Sequence, residues 1–515
     1  KKSGTAAGHS GVTVNMLKSL PEEWTRAMFD TIQSAWKKGQ IPRLWNKKLV
    51  VPIPKEEGTR NLGKMRPIQL LESSRKLWFG ILWKRIMSHI AKQNILQQTQ
   101  FGGMKGREAA HAVQQMVNCV EYARSSGRRL FVIAVDMKRA FDYVPRWGLE
   151  LALQRCGVPQ SIVKMFAKAE EENQTYIRSG YWSHNHRRRE VAAFHTERGT
   201  PQGSVEATGM YTVFIDMLLT ILNEEGKRRH LAFDMIDGVG SVQRYTHLAY
   251  ADDILLISKS REGVEELMRW VESFCVMFGL EINQDKTKHL QFGTQQYEME
   301  EQDKPVRMDD ELKYLGVTIS NRTPGKIWDS QWNICSQTVS DTAMKLRCKR
   351  ATMEALVQAI TLTLYPNITY RARFAGWEQT KMEVWDRQIA AVLKSHARKA
   401  GTVPNNLVYT PSKFMGCGVK RLSDHVMVER AVLVLELGNE PSKDNGATLQ
   451  RNKRDWGKSI QTWMQDLPTT MSLEEDQTSS SHIRMNTQCM WVNDHWAEHE
   501  VRQVVGREVQ AGDRS

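Results

Sequence analysis

An α+β fold follows from two strand signatures and a series of helical stripes in one chain. The first signature is Tyr250-Ala251-Asp252-Asp253, set between Thr246-His247-Leu248-Ala249 and Ile254-Leu255-Leu256-Ile257. It reads as a β-hairpin whose tight turn lifts acid side chains out of the sheet. The second is Leu130-Phe131-Val132-Ile133-Ala134-Val135, an apolar, β-branched run that ends at Asp136. Helical stripes dominate the second half of the chain from about Trp328 onward.

In chain order, residues about 15–45 read as one helical stretch, with Met16, Leu17, Leu20, Trp24, Met28 and Ile32 near helical spacing. Two strand-like segments follow, Lys48 to Lys55 and Met65 to Leu70. Helices are expected from about Ser73 to Gln93, carrying Leu77, Ile81, Ile86 and Ile90, and from about Glu108 to Ser125. The run Met210-Tyr211-Thr212-Val213-Phe214 is helix-like. Val264, Leu267, Met268, Val271, Phe274, Cys275 and Phe278 give an amphipathic helix closed by Gly279. Its stripe reads as core packed under the sheet. A short strand follows Gly279, and Lys313-Tyr314-Leu315-Gly316-Val317-Thr318-Ile319 reads as another. Met353, Leu356, Val357, Ile360 and Leu364 form a stripe ended by Pro366. Trp385, Ile389, Val392 and Leu393 form one stopped near Gly401 and Pro404. Beyond about Gly438 the chain turns polar, and Glu474 to Ser481 reads as a linker. The run Arg187-Arg188-Arg189 is either a solvated face or a path for a polyanion. His184 and His186 beside it read as surface residues.

Adjacent acids among strand formers are costly unless something neutralises them. A divalent cation does so, and Mg²⁺ favours carboxylate oxygens together with substrate phosphates. A plain solvated turn is the other reading of Asp252 and Asp253. A strand delivering Asp136 at its C-terminal end suits the second half of a two-metal carboxylate site. Two cations roughly 3.5–4 Å apart activate a hydroxyl and stabilise a departing group. A helix N-cap is the other reading of Asp136. Gly199-Thr200-Pro201-Gln202-Gly203-Ser204 is a glycine-rich turn where backbone can approach a ligand, and Gln202 offers donor and acceptor to a base or sugar. Lys55 and Arg66 are cations suited to a triphosphate, and Lys286 follows the short strand after Gly279.

Taken in order, these segments resemble the reverse transcriptase domain of non-LTR (LINE-type) retrotransposons over roughly Ser10 to Arg421, with group II intron reverse transcriptases as near relatives. The resemblance implies a right-hand polymerase with fingers, a palm built on an antiparallel sheet, and a helical thumb. The expected division is an N-terminal helical extension at 1–45 and fingers at 46–110. The palm spans 111–322 with an inserted fingers segment at about 145–195. The thumb spans 323–402, and a region of unassigned role spans 403–515. The resemblance assigns Asp136, Asp252 and Asp253 as metal ligands, and Lys55 and Arg66 as triphosphate contacts. Gln202 falls in the family's Pro-Gln-Gly loop, and Lys286 is the proton donor to pyrophosphate. Tyr314, Leu315 and Gly316 look like the primer-grip hairpin. Gln100-Phe101-Gly102-Gly103 and Arg107 look like the Gln-x-Gly-Phe segment before the palm, and Gly416-Cys417-Gly418-Val419 like a glycine turn after the thumb. Two departures stand out. The early Ala-Pro-Gly-Pro-Asp-Gly pattern reads here Ala7-Gly8-His9-Ser10-Gly11. The Ser-Pro-Leu-Phe after the glutamine loop is replaced by Val205-Glu206-Ala207-Thr208-Gly209. Glu206 is expected to lie near the nucleotide and to alter template grip.

The resemblance further implies two Mg²⁺ ions, with Mn²⁺ able to substitute. The expected partners are an RNA template, a DNA primer or nicked target DNA, and dNTPs. The endonuclease would lie elsewhere in a polyprotein or come from the host. The expected setting is nuclear during integration and cytoplasmic as a ribonucleoprotein. Phe141, five residues after Asp136, falls where the family holds an aromatic ring under the incoming sugar, which blocks a 2′-hydroxyl. RNA-dependent RNA polymerases instead tend to hold an Asp there and a Gly-Asp-Asp turn. A plain core role for Phe141 is the other reading. An RNA-dependent RNA polymerase, a group II intron-type maturase and a non-catalytic nucleic-acid-binding derivative remain as alternatives.

Composition sets outer bounds. At 515 residues the chain should hold two to four subdomains. Lys and Arg exceed Asp and Glu by 72 − 58 = 14, with pI near 9.3, which suits a polyanion partner. The basic set Lys345, Arg347, Lys349 and Arg350 suits a duplex backbone read by A-form shape. The seven cysteines contain no C-x-x-C pair, so neither a disulfide framework nor a zinc finger is expected, and the compartment is expected to be reducing. No stretch approaches the ~20 apolar residues of a membrane span, so no membrane is expected as partner. The first residue is Lys, as in a piece of a larger polyprotein.

Overall fold

The computed structural model describes residues 6–438 apart from 57, 60, 172, 178–192, 237–239, 294–308, 322–325, 399–400 and 411–415. The arginine run 187–189, His184, His186, the 474–481 segment, Trp491 and Trp496 lie outside the described residues. Helices α1 (Val14–Lys18) and α2 (Glu22–Lys38) precede strands β1 (Lys47–Pro54) and β2 (Met65–Leu70). Then come α3 (Ser73–Lys92), α4 (Ala109–Ser125), β3 (Leu130–Val135), β4 (Met137–Lys138), α5 (Ala140–Tyr143), α6 (Arg146–Arg155), α7 (Gln160–Glu171) and β5 (Gln174–Ile177). Helix α8 (Ala207–Arg228) leads to β6 (Phe233–Ile236), β7 (Val242–Tyr245), β8 (His247–Tyr250) and β9 (Asp253–Ser258). Helix α9 (Arg261–Phe278), β10 (Glu281–Ile282), β11 (Lys288–Phe292), β12 (Glu311–Tyr314) and β13 (Val317–Ser320) follow. The rest is helical: α10 (Asp329–Arg347), α11 (Met353–Ala359), α12 (Tyr365–Ala372), α13 (Gln379–His396), α14 (Asn405–Tyr409) and α15 (Leu422–Gly438).

The chain forms two compact units. The first comprises residues through 112 with 131–233 and 245–289, and the second comprises 113–130, 234–244 and residues from 290 onward.

In the first unit, β9 lies between β3 and β8, antiparallel to both. Its residues Ile254 to Ile257 are at most 1% exposed. Helix α9 is capped by Ser260, whose side chain accepts from Gly263 N–H, and is closed by Gly279 at φ +66, as its pattern predicts. Its stripe joins an aromatic nest in which Phe214 of α8 meets Phe274 and Phe278 with ring centroids 5.5 and 5.1 Å apart. The helical stretch expected over 15–45 is broken into α1, α2 and a short 3₁₀ turn. Pro21 caps α2 at its start, and Gly39 closes it in the left-handed conformation (φ +57).

A second sheet of this unit has the order β2-β1-β5. β1 and β2 pair antiparallel from Leu49↔Leu70 to Pro54↔Met65, and β5 runs parallel to β1. Behind it lies a buried ion network. Lys48 pairs with Glu170, and Arg75 bridges Glu170 (3.0 Å) and Glu206 (3.3 Å). Burial lowers the Lys48 pKa, and the Glu170 charge opposes that shift. Glu206 is 1% exposed, which overturns the expectation that it reaches the nucleotide. A carboxylate already neutralised by a buried guanidinium has no surface left for a template. Its role is to complete a core charge pair, and removing one partner of such a pair costs about 3–5 kcal/mol.

In the second unit, β12 and β13 pair antiparallel around a Leu315-Gly316 turn, so the strand read over 313–319 is two strands joined by a turn, the hairpin shape that the resemblance implies there. The helices share one core, with Trp332 stacked on Trp385 at 4.7 Å and Trp377 edge-on to both. Pro366 does not end its stripe. A π-helical turn, Ile360–Leu364, precedes it, and the proline falls in the first turn of α12, where a missing N–H is harmless. Asp386 of α13 caps α15 from the side. Its Oδ1 accepts from Leu422 N–H (2.7 Å) and Ser423 N–H (3.3 Å), and its Oδ2 from the Ser423 hydroxyl (2.5 Å). Asp386→Ala should therefore destabilise this unit by about 2–3 kcal/mol, the value of hydrogen bonds to a charged acceptor. Denaturant unfolding followed by tryptophan fluorescence checks this, and an unchanged midpoint would contradict the capping role.

Candidate active site

Strand register decides where the acids meet. Val135 of β3 faces Ile254 of β9, so the next step sets Asp136 beside Asp253. Tyr250 of β8 faces Asp253, which leaves Ala251 and Asp252 as a two-residue turn. Ala251 is left-handed at φ +55, a conformation costing a non-glycine residue roughly 1–2 kcal/mol. The main chain of Asp136 is tied to the turn after β10. Its carbonyl accepts from Asn283 N–H (2.7 Å), and its amide donates to Thr287 Oγ1 (3.4 Å). Lys286 lies in that same turn and is exposed.

Beyond burial, the Asp136 charge raises the pKa of both turn acids. Burial pushes the Asp252 carboxyl up, and the Asp136 charge adds to it. Asp253 is exposed at the head of β9, yet its carboxyl is pushed up to about 6 by local loss of solvent, then by Asp252 and Asp136. Among the described residues every side-chain charge shifting these two carboxyls is negative. Also among the described residues, no group of three or more His, Cys, Asp or Glu side chains forms a ready metal cage. Uncompensated like charges open to solvent fit Mg²⁺, which takes one or two carboxylates and completes its shell with water and phosphate oxygens rather than a closed protein cage.

The 199–203 loop is held between α5 and β2 by backbone hydrogen bonds. Gly199 N–H donates to Val144 O (2.8 Å) and Thr200 N–H to Phe141 O (2.9 Å), binding one side of the loop to α5. On the other side, Gln69 N–H donates to Gln202 O (2.6 Å), binding it to β2. A Cβ on Gly203 (φ +116) would meet Gln69 O at 2.6 Å, so this close approach needs glycine. Gln202 Nε2 donates to Asp142 Oδ1 (2.8 Å). Burial raises the Asp142 pKa, while the Gln202 bond and then the Arg139 and Lys55 charges oppose it. Phe141 is half-buried and stacks on Tyr211 of α8 with centroids 4.4 Å apart. It is a partly open ring on an aromatic floor, where a core phenylalanine would be enclosed. Tyr211 itself feels the Asp252 charge after burial, so the floor reaches toward the acids.

The remaining predicted residues divide between the units. Lys55 and Arg66 are exposed near the tip of the β1–β2 hairpin, with Lys55 N–H donating to Lys64 O (2.9 Å). Glu56 is held below the usual carboxylate range by Lys64, with a smaller share from Lys286, so the Lys286 turn lies near that tip. Tyr314, Leu315 and Gly316 belong to the second unit. There Leu315 and Gly316 are both left-handed (φ +47 and +86), and Tyr370 donates to Leu315 O (2.8 Å). Asp142 as partner of Gln202 and Tyr211 as floor were not expected, and no local spacing signals either one.

A family model described as reverse transcriptase (RNA-dependent DNA polymerase) matches residues 53–319. The chain belongs to this reverse transcriptase family. Among curated relatives, it is 22% identical over 439 residues to the "Retrovirus-related Pol polyprotein from type-1 retrotransposable element R2" of Nasonia vitripennis, covering 82% of this chain and 39% of that one. It is 26% identical over 352 residues to the "Probable RNA-directed DNA polymerase from transposon BS" of Drosophila melanogaster, covering 62% and 36%. The chain thus spans well under half the length of these relatives. A solved telomerase from Candida tropicalis, in complex with a fragment of telomeric RNA, aligns with TM-score 0.41 at 11% identity, over 85% of this chain and 68% of that one. The family match agrees with the expected non-LTR reverse transcriptase domain and its α+β, right-hand polymerase class.

The raised Asp253 carboxyl has a consequence for stability. Its folded-state pKa of about 6 lies above the ordinary ~3.9, so ionisation opposes folding and stability declines as pH rises from about 4 to 6. Asp253→Asn should therefore be more stable than wild type at pH 7.5 in cation-free buffer, on the order of 1 kcal/mol after solvent screening. The gap should close as pH falls toward 4. Thermal unfolding across that range with EDTA present checks it, and a variant less stable at pH 7.5 would contradict the electrostatics.

Proposed function

We propose that this reverse transcriptase domain is an RNA-directed DNA polymerase of a non-LTR retroelement, extending a primer 3′-hydroxyl on an RNA template. The observation that carries the reading is the convergence of Asp136, Asp252 and Asp253 at one end of a sheet, with like charges uncompensated, in the unit that also holds the supported Phe141 ring and Gln202. Asp136 and Asp252 would hold two Mg²⁺ ions with help from Asp253. When bound, these supply charge stabilisation and a more acidic primer hydroxyl. The 3′-oxygen bonds to the α-phosphorus, the bond from that phosphorus to pyrophosphate breaks, and the hydroxyl proton passes to solvent. Lys55 and Arg66 grip the triphosphate, and Lys286 gives a proton to the departing pyrophosphate. The protein's share is positioning and charge. We take the β1–β2 hairpin as fingers, the β3-β9-β8 sheet as palm, α10 to α13 as thumb, and the β12–β13 turn as primer grip.

The choice of deoxynucleotides rests on two contacts. Phe141 presents a supported ring where a 2′-hydroxyl would press, and Asp142, the acid next to it, already accepts from Gln202. The Gln202 bond takes up Oδ1 of this acid and so reduces its capacity to accept from a ribose hydroxyl. Target-primed synthesis at nicked DNA completes the proposal, with the endonuclease contributed from outside these residues. Such priming would occur in the nucleus, after assembly with the RNA in the cytoplasm.

Primer extension on an RNA template with dNTPs and Mg²⁺ tests the reading. Asp252→Ala should lower the rate by about 10³-fold or more, since the metal site is worth several kcal/mol and each ~1.4 kcal/mol is tenfold. No extension by wild type on several templates, with Mn²⁺ also tried, would end the proposal. Phe141→Val should admit ribonucleotides at least tenfold better relative to dNTPs. Wild type preferring ribonucleotides would instead support an RNA polymerase.

A further inference from the structure

Segment 97–102 runs alongside β8 and extends the sheet toward the acid turn. Ala249 N–H donates to Thr99 O (2.9 Å), and Phe101 N–H donates to Ala249 O (2.8 Å). Thr99 Oγ1 meets His247 Nε2 at 2.6 Å. The Arg107 guanidinium clamps the outer side, donating to Gln100 O (3.0 Å) and to the Gln98 carbonyl and side chain, with its charge 5.6 Å from the Phe101 ring centre. A Cβ on Gly102 would lie 2.3 Å from Ala251 N, so the segment touches the turn as closely as backbone permits.

Within this contact Gln100 is fully buried. A buried carboxamide is costly unless it bonds, and its Oε1 accepts from two amides, Gly102 N–H (2.8 Å) and Ala251 N–H (3.1 Å). Ala251 stands outside the β8–β9 pairing, and it holds a left-handed conformation that alanine avoids. We propose that Gln100 is a positioning residue for the polymerase reaction, its carboxamide oxygen fixing the Ala251 amide and so the direction in which Asp252 presents its carboxylate. This rests on the activity proposed above. The anchoring bonds of Thr99, Phe101 and Arg107 hold the carboxamide at one height, and its oxygen holds the turn. Asp252 is the next residue along, so a rotation about Ala251 moves its carboxylate directly. Sites of this kind work only within about 0.5 Å of the productive geometry.

The test uses Gln100→Met, similar in length and without the amide oxygen. The first readout needs neither cation nor nucleic acid. In wild type the Ala251 amide should be protected from hydrogen exchange. In Q100M it should exchange at least tenfold faster, while Ile254 to Ile257 on β9 keep their protection. The second readout is primer extension. Q100M should lower the single-turnover rate at least tenfold at low Mg²⁺ and raise the Mg²⁺ midpoint severalfold, with KM for dNTP within twofold of wild type. Adding Ala251→Gly to Q100M should recover part of the rate, because glycine takes the left-handed conformation unaided. Unchanged Ala251 exchange in Q100M, or a wild-type rate and Mg²⁺ midpoint, would overturn the proposal. So would loss of β9 protection together with no recovery from the glycine, which means a merely structural role. Inactive wild type would count against the polymerase reading alone, and the exchange measurement would still decide the clamp.

Discussion

Like charge held in place by strand pairing is the constraint behind this protein. Asp136 and Asp253 are neighbours because β3 and β9 pair in one register, and Asp252 stands in the turn that β8 and β9 leave open. A one-residue slip would send the acids to the opposite face and exchange the side chains of Ile254 to Ile257 between two buried faces, breaking the packing of both. The core of the sheet therefore specifies the site. Burial of the central strand stabilises the register, and the register imposes the repulsion. Under the proposed activity the repulsion is the chemical asset, since a carboxylate pair that is not satisfied internally would favour a bound cation.

The loop that carries Gln202 follows a different logic. It has little apolar surface and no strand of its own, and it is laced into place by backbone hydrogen bonds on both sides, to α5 and to β2. Gln202 is steadied by Asp142, and Phe141 by Tyr211, so each of the two has a second residue holding it. The buried Lys48, Glu170, Arg75 and Glu206 network supports the β1 sheet in the same unit. Buried ion networks of this kind are sensitive to loss of any one member.

Much of this was legible before any coordinates. The apolar β-branched runs around Asp136 and Asp252 announce strands because period and composition agree. The stripe from Val264 to Phe278 with Gly279 after it announces a helix and its end. Misreadings arose where local pattern was ambiguous. The helical spacing over 15–45 hid the breaks at Pro21 and Gly39. Pro366 reads as a stop until a π-turn is allowed before it. Glu206 reads as near the nucleotide because it follows the glutamine loop in the chain, and only its burial and its pairing with Arg75 show a core partner.

By itself, the sequence determined which residues carry charge and which segments are strands or helices, since these depend on side-chain chemistry and spacing along the chain. It also carried the family's ordered motifs. Only the tertiary structure decided that Asp142 is spent on Gln202, that Tyr211 floors Phe141, and that Gln100 holds Ala251. These pairs are separated by 60, 70 and 151 positions in the chain. Contacts of that span are set by strand register and helix packing, which no local spacing encodes.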